Sequence, residues 1–291
     1  MNLRNALQTY LQDWKSDLSA PWRKVFDNVD LDFNKVRDDL ELHDGEFIFP
    51  ARKGRPIAGM PPRAHVFRAF DGIHPRNVRA VVIGQDPYPN FTWATGRAFE
   101  QGNLRQWTSK ARDVADSLAR IVQVLVAART NNPAYAAADS AWKQLIADSE
   151  TGVISLEPPP QLFNNLQKKG VLFLNAGLTI SRFERGGAPE QIAGHIPLWK
   201  PIIAHVLRWL AQHPDKPVVF LLWGNQAKGM FEESGVEAAA RAAGTWETTV
   251  GVVRHSHPAA GGAPPLFFRS PNSFLRANEV LTEMGASVIQ W

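Results

Sequence analysis

The sequence predicts an α/β protein, with a central four-stranded parallel sheet flanked by helices in a three-layer α/β/α sandwich. Three observations carry this. Four short apolar runs, Val78–Ile83, Val171–Leu174, Val218–Trp223 and Val250–Val253, read as buried strands. Segments of helical period lie between them. Each run also stops abruptly at a glycine or a polar residue, as strands do when they end at a ligand-bearing edge.

Residues 1–45 are polar with apolar punctuation at Leu7, Tyr10, Leu11 and Trp14, the pattern of an amphipathic helix pair. Residues 50–75 carry Pro50, Pro56, Pro61, Pro62 and Pro75 and read as loop. After the first strand, Leu118, Ile121, Val122, Leu125 and Val126 share one helical face, and Trp199, Ile202, Ile203, Val206, Leu207 and Leu210 share another. The stretches "DGEFIFPARKGRPIAGMPPR" and "AAGGAPP" are loop-like but too short for an interdomain linker. We expect one domain over 1–291, with 1–45 as an N-terminal helical extension.

Composition narrows the function. With 291 residues, 44% hydrophobic and 21% charged, the chain has an ordinary globular balance. It contains no cysteine, which excludes thiol catalysis, disulfides, Cys-ligated zinc and iron–sulfur clusters. No apolar run approaches the roughly 20 residues of a membrane helix, and "MNLRNALQTYLQDW" has no signal-peptide core. A cytoplasmic monomer without membrane contact is expected. The net charge of +4 permits a nucleic-acid partner without demanding one. Most of the ten tryptophans should be core or groove-wall residues.

Directly after the four strands stand Gln85-Asp86, Asn175, Gly224-Asn225 and His255/His257. In an open parallel sheet these groups meet at one edge. Asp86 can accept a proton or orient water, and a histidine can donate to a developing anion. Asn175 pairs a donor with an acceptor, matching the N3–H and O4 edge of uracil. No histidine spacing suggests a metal site.

Taken singly, each residue has a plainer reading. Asp86 can cap a turn, Asn175 can satisfy loop backbone, and Phe99 can be core. Either histidine can be a satisfied loop residue. Lys168 and Lys169 read as ordinary surface charges.

Four motifs taken together resemble the family 1 uracil-DNA glycosylases: "GQDPYPN…GRAF", "GVLFLNAGLT", "VVFLLWGNQAK" and "VVRHSHPAA…FF". The resemblance covers roughly residues 45–291. It implies a cofactor-free, metal-free glycosylase that hydrolyses the bond between uracil and deoxyribose in DNA. In such an enzyme Asp86 positions the attacking water and Gln85 lines the anomeric end. Tyr88 excludes the thymine methyl, Phe99 stacks on the flipped base, Asn175 reads its edge and His257 stabilises the leaving anion. The base must leave the duplex to reach such a pocket.

The alignment favours His257 over His255, although strand alternation puts both on one face. Two other functions stay open: a non-catalytic binder of uracil or damaged DNA, and a glycosylase with shifted base specificity.

The chain departs from the family in its DNA-contacting loops. Pro89 replaces a histidine. Ala259–Gly262 occupies the place of the serine–proline–leucine wedge, with Leu266, Phe267 or Phe268 as candidate substitutes. Ser117 keeps a hydroxyl where the proline-rich phosphate loop belongs, whereas Pro158–Pro160 belongs to the next helix–strand unit. Asn225 follows Gly224 in place of a serine, and Arg254 and Arg269 flank the wedge loop as candidate phosphate contacts. About 40 extra residues separate Phe99 from Asn175. These changes predict weaker action on duplex than on single-stranded DNA and reduced binding of the family's protein inhibitor.

Overall fold

The computed structural model describes residues 1–184 and 186–291, with Ala111 described by its backbone alone. The chain begins with two short helices, α1 (Leu3–Tyr10) and α2 (Ala20–Val25), joined by a 3-10 turn at Trp14–Asp17. Both helices are shorter than the polar 1–45 stretch suggested, and residues 36–45 form no helix. Then come β1 (Ala80–Gly84), α3 (Asp116–Thr130), α4 (Ala141–Glu150), α5 (Pro159–Lys168) and β2 (Val171–Asn175). The second half holds α6 (Ile196–Gln212), β3 (Val218–Trp223), α7 (Gly224–Glu233), α8 (Val236–Ala242), β4 (Val250–His255) and α9 (Ser273–Glu283).

The four strands form one parallel sheet in the order β2-β1-β3-β4. β1 starts two residues later than its apolar run, because Val78 closes a 3-10 turn at Pro75–Asn77. β4 extends two residues further than its run, through Arg254 and His255, which pair beside Leu222 and Trp223.

Alternation along the strands builds the two outer layers. Val81, Ile83, Leu172, Leu174, Phe220 and Leu222 pack with the N-terminal helices, α6, α7 and α8. Ala80, Val82, Val171, Phe173, Leu221 and Trp223 pack with α3, α4, α5 and α9. The expected three layers follow. Trp14, Trp22, Trp142, Trp199, Trp223 and Trp291 are buried among them. The N-terminal segment shares the first core, where Trp14 stacks on Phe67 with centroids 5.4 Å apart. Pro158 precedes α5, and Pro159 and Pro160 open it, where a missing N–H costs nothing.

The chain between Phe99 and Asn175 holds α3, α4 and α5. Among the described residues, no helix is long and apolar enough to cross a membrane.

Candidate active site

β1 and β3 are neighbours, yet the chain leaves β1 towards β2 on one side and reaches β4 on the other. Their carboxyl ends flank the switch point where open α/β sheets bind ligands. A cavity of about 750 Å³ opens there. Gln85, Asp86, Tyr88, Phe99, Ser117, Asn175 and His257 all line it.

The sheet register explains how residues so far apart in sequence meet. Gly84 pairs with Asn175 at the ends of β1 and β2. A side chain at Gly84 would come within 2.4 Å of Asn175 Oδ1, so the glycine makes room for the amide. Asn175 is 2% exposed and makes no hydrogen bond to another described side chain, which leaves its amide free for a ligand in the cavity.

Asp86 follows β1 by two residues. Burial raises its pKa from 3.8 to about 6, against the opposing hydrogen bonds of Gln191 and Gln85. Gln191 Nε2 donates to Asp86 Oδ1 at 2.5 Å from the π-turn Gln191–His195. A Cβ at Gly177 would lie 2.7 Å from the same oxygen. Sequence reasoning missed both residues. Gly177 sat in view inside "NAGLT", whereas nothing in the local pattern marks Gln191, 105 residues from its partner.

Tyr88 and Phe99 form a second wall. The Tyr88 hydroxyl lies 3.4 Å from both the Phe99 carbonyl and Ser117 Oγ. Burial pushes the Tyr88 phenol up to about 12, so it stays neutral. Phe99 has φ +62°, a conformation rare for an aromatic residue and found mostly where the surroundings over-determine it. Its ring faces His257, with centroids 6.2 Å apart, and Trp223 at 5.8 Å.

His257 lies beyond the end of β4, so strand alternation does not govern it. The structure separates the two histidines. His255 Nε2 bonds the Arg269 carbonyl at 3.1 Å and packs on Phe267, away from the cavity. The Ala259 N–H donates to His257 Nδ1 at 3.0 Å. An accepting Nδ1 puts the proton on Nε2. The His257 ring is exposed at the mouth, yet the protein behind it desolvates it and lowers its pKa, favouring the neutral form. Gly224, at φ +85°, lets this loop approach: a Cβ there would lie 2.6 Å from His257 Cβ.

The remaining candidates surround this core. Asn225, Arg254, Ala259 and Arg269 are exposed, and none lines the cavity. Phe267 is 1% exposed and packs on Trp223, which removes it as a wedge substitute. Leu266 and Phe268 are half-buried in the same 3-10 turn. The exposed apolar side chains at the cavity mouth are instead Phe183 and Ile192, 61% and 56% exposed.

No family model matches the chain. Among curated proteins, the uracil-DNA glycosylase of Lactococcus lactis is 28% identical over 280 residues, 95% of this chain and 98% of that protein. The uracil-DNA glycosylase of Dichelobacter nodosus is 28% identical over 278 residues, 94% and 95% of the two chains. The chain is a homologue of the uracil-DNA glycosylases.

A match to the longer uracil-DNA glycosylase of Gallid herpesvirus 2, 27% identical, takes in 79% of this chain but spans only 58% of that protein. Solved glycosylase structures share the fold. The wild-type UNG of Nitratifractor salsuginis superposes with a TM-score of 0.59 at 22% identity, covering 95% of this chain and 96% of that one. Mimivirus uracil-DNA glycosylase gives 0.59 at 17% identity, covering 100% and 93%.

Proposed function

We propose that this protein is a monofunctional glycosylase that hydrolyses the N-glycosidic bond of uracil in DNA, releasing uracil and leaving an abasic site. The observation that carries the reading is the meeting of Asp86, Tyr88, Phe99, Asn175 and His257 around one cavity at the sheet's switch point.

In this reading the uracil is turned out of the DNA stack and enters the cavity. Phe99 stacks on its face and Asn175 hydrogen-bonds its N3–H and O4 edge. Tyr88 stands beside C5, and its ring leaves no room for the methyl of thymine. As the bond between C1′ and N1 lengthens, positive charge grows on the sugar and negative charge on the base. The Asp86 carboxylate offsets the first and orients the water that attacks C1′. Its tether to Gln191 reduces the reorganisation that step requires. His257 Nε2–H donates to O2 and stabilises the uracil anion. A neutral donor suffices there, since it need not surrender its proton. The chemistry asks for no metal or cofactor.

Ser117, Gly224, Asn225, Arg254, Ala259 and Arg269 are assigned to DNA contact around the mouth. The run Ala259–Gly262 offers no side chain larger than a methyl group to fill the vacated stack, which supports single-stranded DNA as the better substrate. It also supports weak binding of the protein inhibitor; a mimivirus UNG variant has been solved in complex with UGI. We read residues 1–291 as one unit that acts as a monomer in the cytoplasm, with 1–45 an extension of its core.

The test is release of free uracil from a single-stranded oligonucleotide with one labelled deoxyuridine. Wild-type protein should release it, and Asp86→Asn should lose at least about a hundredfold in kcat. Binding without release by the wild type would instead identify a non-catalytic relative.

A further inference from the structure

A second cavity, of about 710 Å³, shares no lining residue with the first among the described residues. Arg52, Lys53, Arg63, Arg68, Arg97 and Lys168 line it, with Asp71 the only carboxylate among the described lining residues. Three of these cations are neutralised. Arg52 pairs with Asp17, Lys53 with Asp71 at 2.8 Å, and Arg97 with Glu100 at 3.2 Å.

The other three are unpaired or paired only at long range. Arg63 and Lys168 have no ion-pair partner among the described residues. Arg68 is only 8% exposed and its guanidinium donates no hydrogen bond to a described residue; its ion pair with Glu100 is stretched to 3.9 Å. A guanidinium with so little exposed surface loses much of its hydration, and one long ion pair replaces only part of it. Burial and the neighbouring Arg97 accordingly lower its pKa. Arg63 adds a second cost: it holds φ +64° at the rim.

The rest of the lining is different in kind. Pro56, Ile57, Met60, Pro61 and Pro62 add an apolar lining to the charges. The volume falls within the roughly 300–1,000 Å³ of small-molecule sites. The cationic lining suits a multiply charged anion, for which arginine forks are the preferred receptors. The apolar lining suits a flat apolar body.

We propose that this cavity binds a phosphate monoester carried on a ring system, of the nucleoside 5′-phosphate type. Arg63, Arg68 and Lys168 hold the phosphate, and the Pro56–Pro62 lining packs on the ring. Two sources carry this chemistry, a free nucleotide and the 5′-phosphorylated end of a DNA strand. The site does not depend on the glycosylase reading, because no catalytic candidate takes part.

Calorimetric titration of the full chain tests it, with deoxyadenosine 5′-monophosphate as probe. Saturable one-to-one binding is expected, with deoxyadenosine at least about tenfold weaker because it lacks the charge. Arg63→Ser/Lys168→Ser, which changes only exposed side chains, should weaken the nucleotide about tenfold or more, and Arg68→Gln likewise. Asp86→Asn should bind it as wild type does, which separates this cavity from the other. No binding of the nucleotide, equal binding of the nucleoside, or undiminished binding by the double variant would overturn the proposal. So would loss of binding in Asp86→Asn. Displacement of the nucleotide by a 5′-phosphorylated oligonucleotide, but not by its unphosphorylated form, assigns the site to strand ends; no displacement by either assigns it to free nucleotide.

Discussion

Gln191 reaches across 2.5 Å to hydrogen-bond Asp86, tying the end of β1 to a turn 105 residues away. The bond favours the ionised carboxylate, while burial favours the protonated one and wins, leaving a pKa of about 6. Only ionised Asp86 can offset positive charge on the sugar, so kcat should fall as the pH drops through about 6. Gln191→Ala removes a contribution that lowers the pKa. Its acid limb should therefore move to higher pH, whereas a merely structural loss would lower the rate equally at all pH. The pH–rate profiles of both proteins decide this.

The same carboxylate makes a stability prediction. Because the folded pKa is raised above 3.8, the folded chain binds the Asp86 proton more tightly than the unfolded chain does. That stabilisation is complete below about pH 4 and lost as the pH rises through 6. Asp86→Asn removes the charge, so it should be more stable than wild type at pH 8, by up to about 3 kcal/mol for two pKa units. The gap should close towards pH 4. Denaturant unfolding at the two pH values measures it. An inactive variant that is also more stable separates a functional carboxylate from a structural one.

Gly224 and His257 are coupled by space. A Cβ at Gly224 would lie 2.6 Å from His257 Cβ on a backbone at φ +85°. Gly224→Ala should displace the His257 loop and lower kcat at least about tenfold, with a stability cost of about 1 kcal/mol or more. Steady-state rates with thermal melts check both parts.

Arg120, on α3, ties the segment between Phe99 and Asn175 to the loop that carries His257. Its Nη1 donates to the carbonyls of Pro258 at 3.0 Å and Ala260 at 3.1 Å, while Asp139 holds the guanidinium by two further bonds. Arg120→Met should loosen the loop that carries His257. We expect kcat to fall about tenfold with the acid limb unmoved, since Asp86 is untouched.

Phe183 and Ile192 stand exposed at the cavity mouth, where an apolar group can fill the gap left by a flipped base. Phe183→Ala should reduce uracil release from duplex DNA several-fold more than from single strands. Equal loss on both substrates would remove Phe183 from that role.

The sequence by itself determined the four strands, their burial as continuous apolar runs and the identity of the residues at their ends. Those signals are local: an apolar run ends where the backbone must meet solvent or ligand, and the residue that follows can be read directly. It also marked His257 over His255, although alternation misplaced the pair on one face. Strand periodicity stops at His255, and only the loop beyond it decides where His257 points.

Only the tertiary structure decided the rest. The order β2-β1-β3-β4 locates the cavity. Gln191 and Arg120 act through contacts more than a hundred residues long, and Phe267 turned out to be core. The second cavity collects Lys53, Arg63, Arg68 and Lys168, cations that look like ordinary surface charge in the linear chain. Side-chain pairing and desolvation belong to the packed state, and a sequence window contains neither.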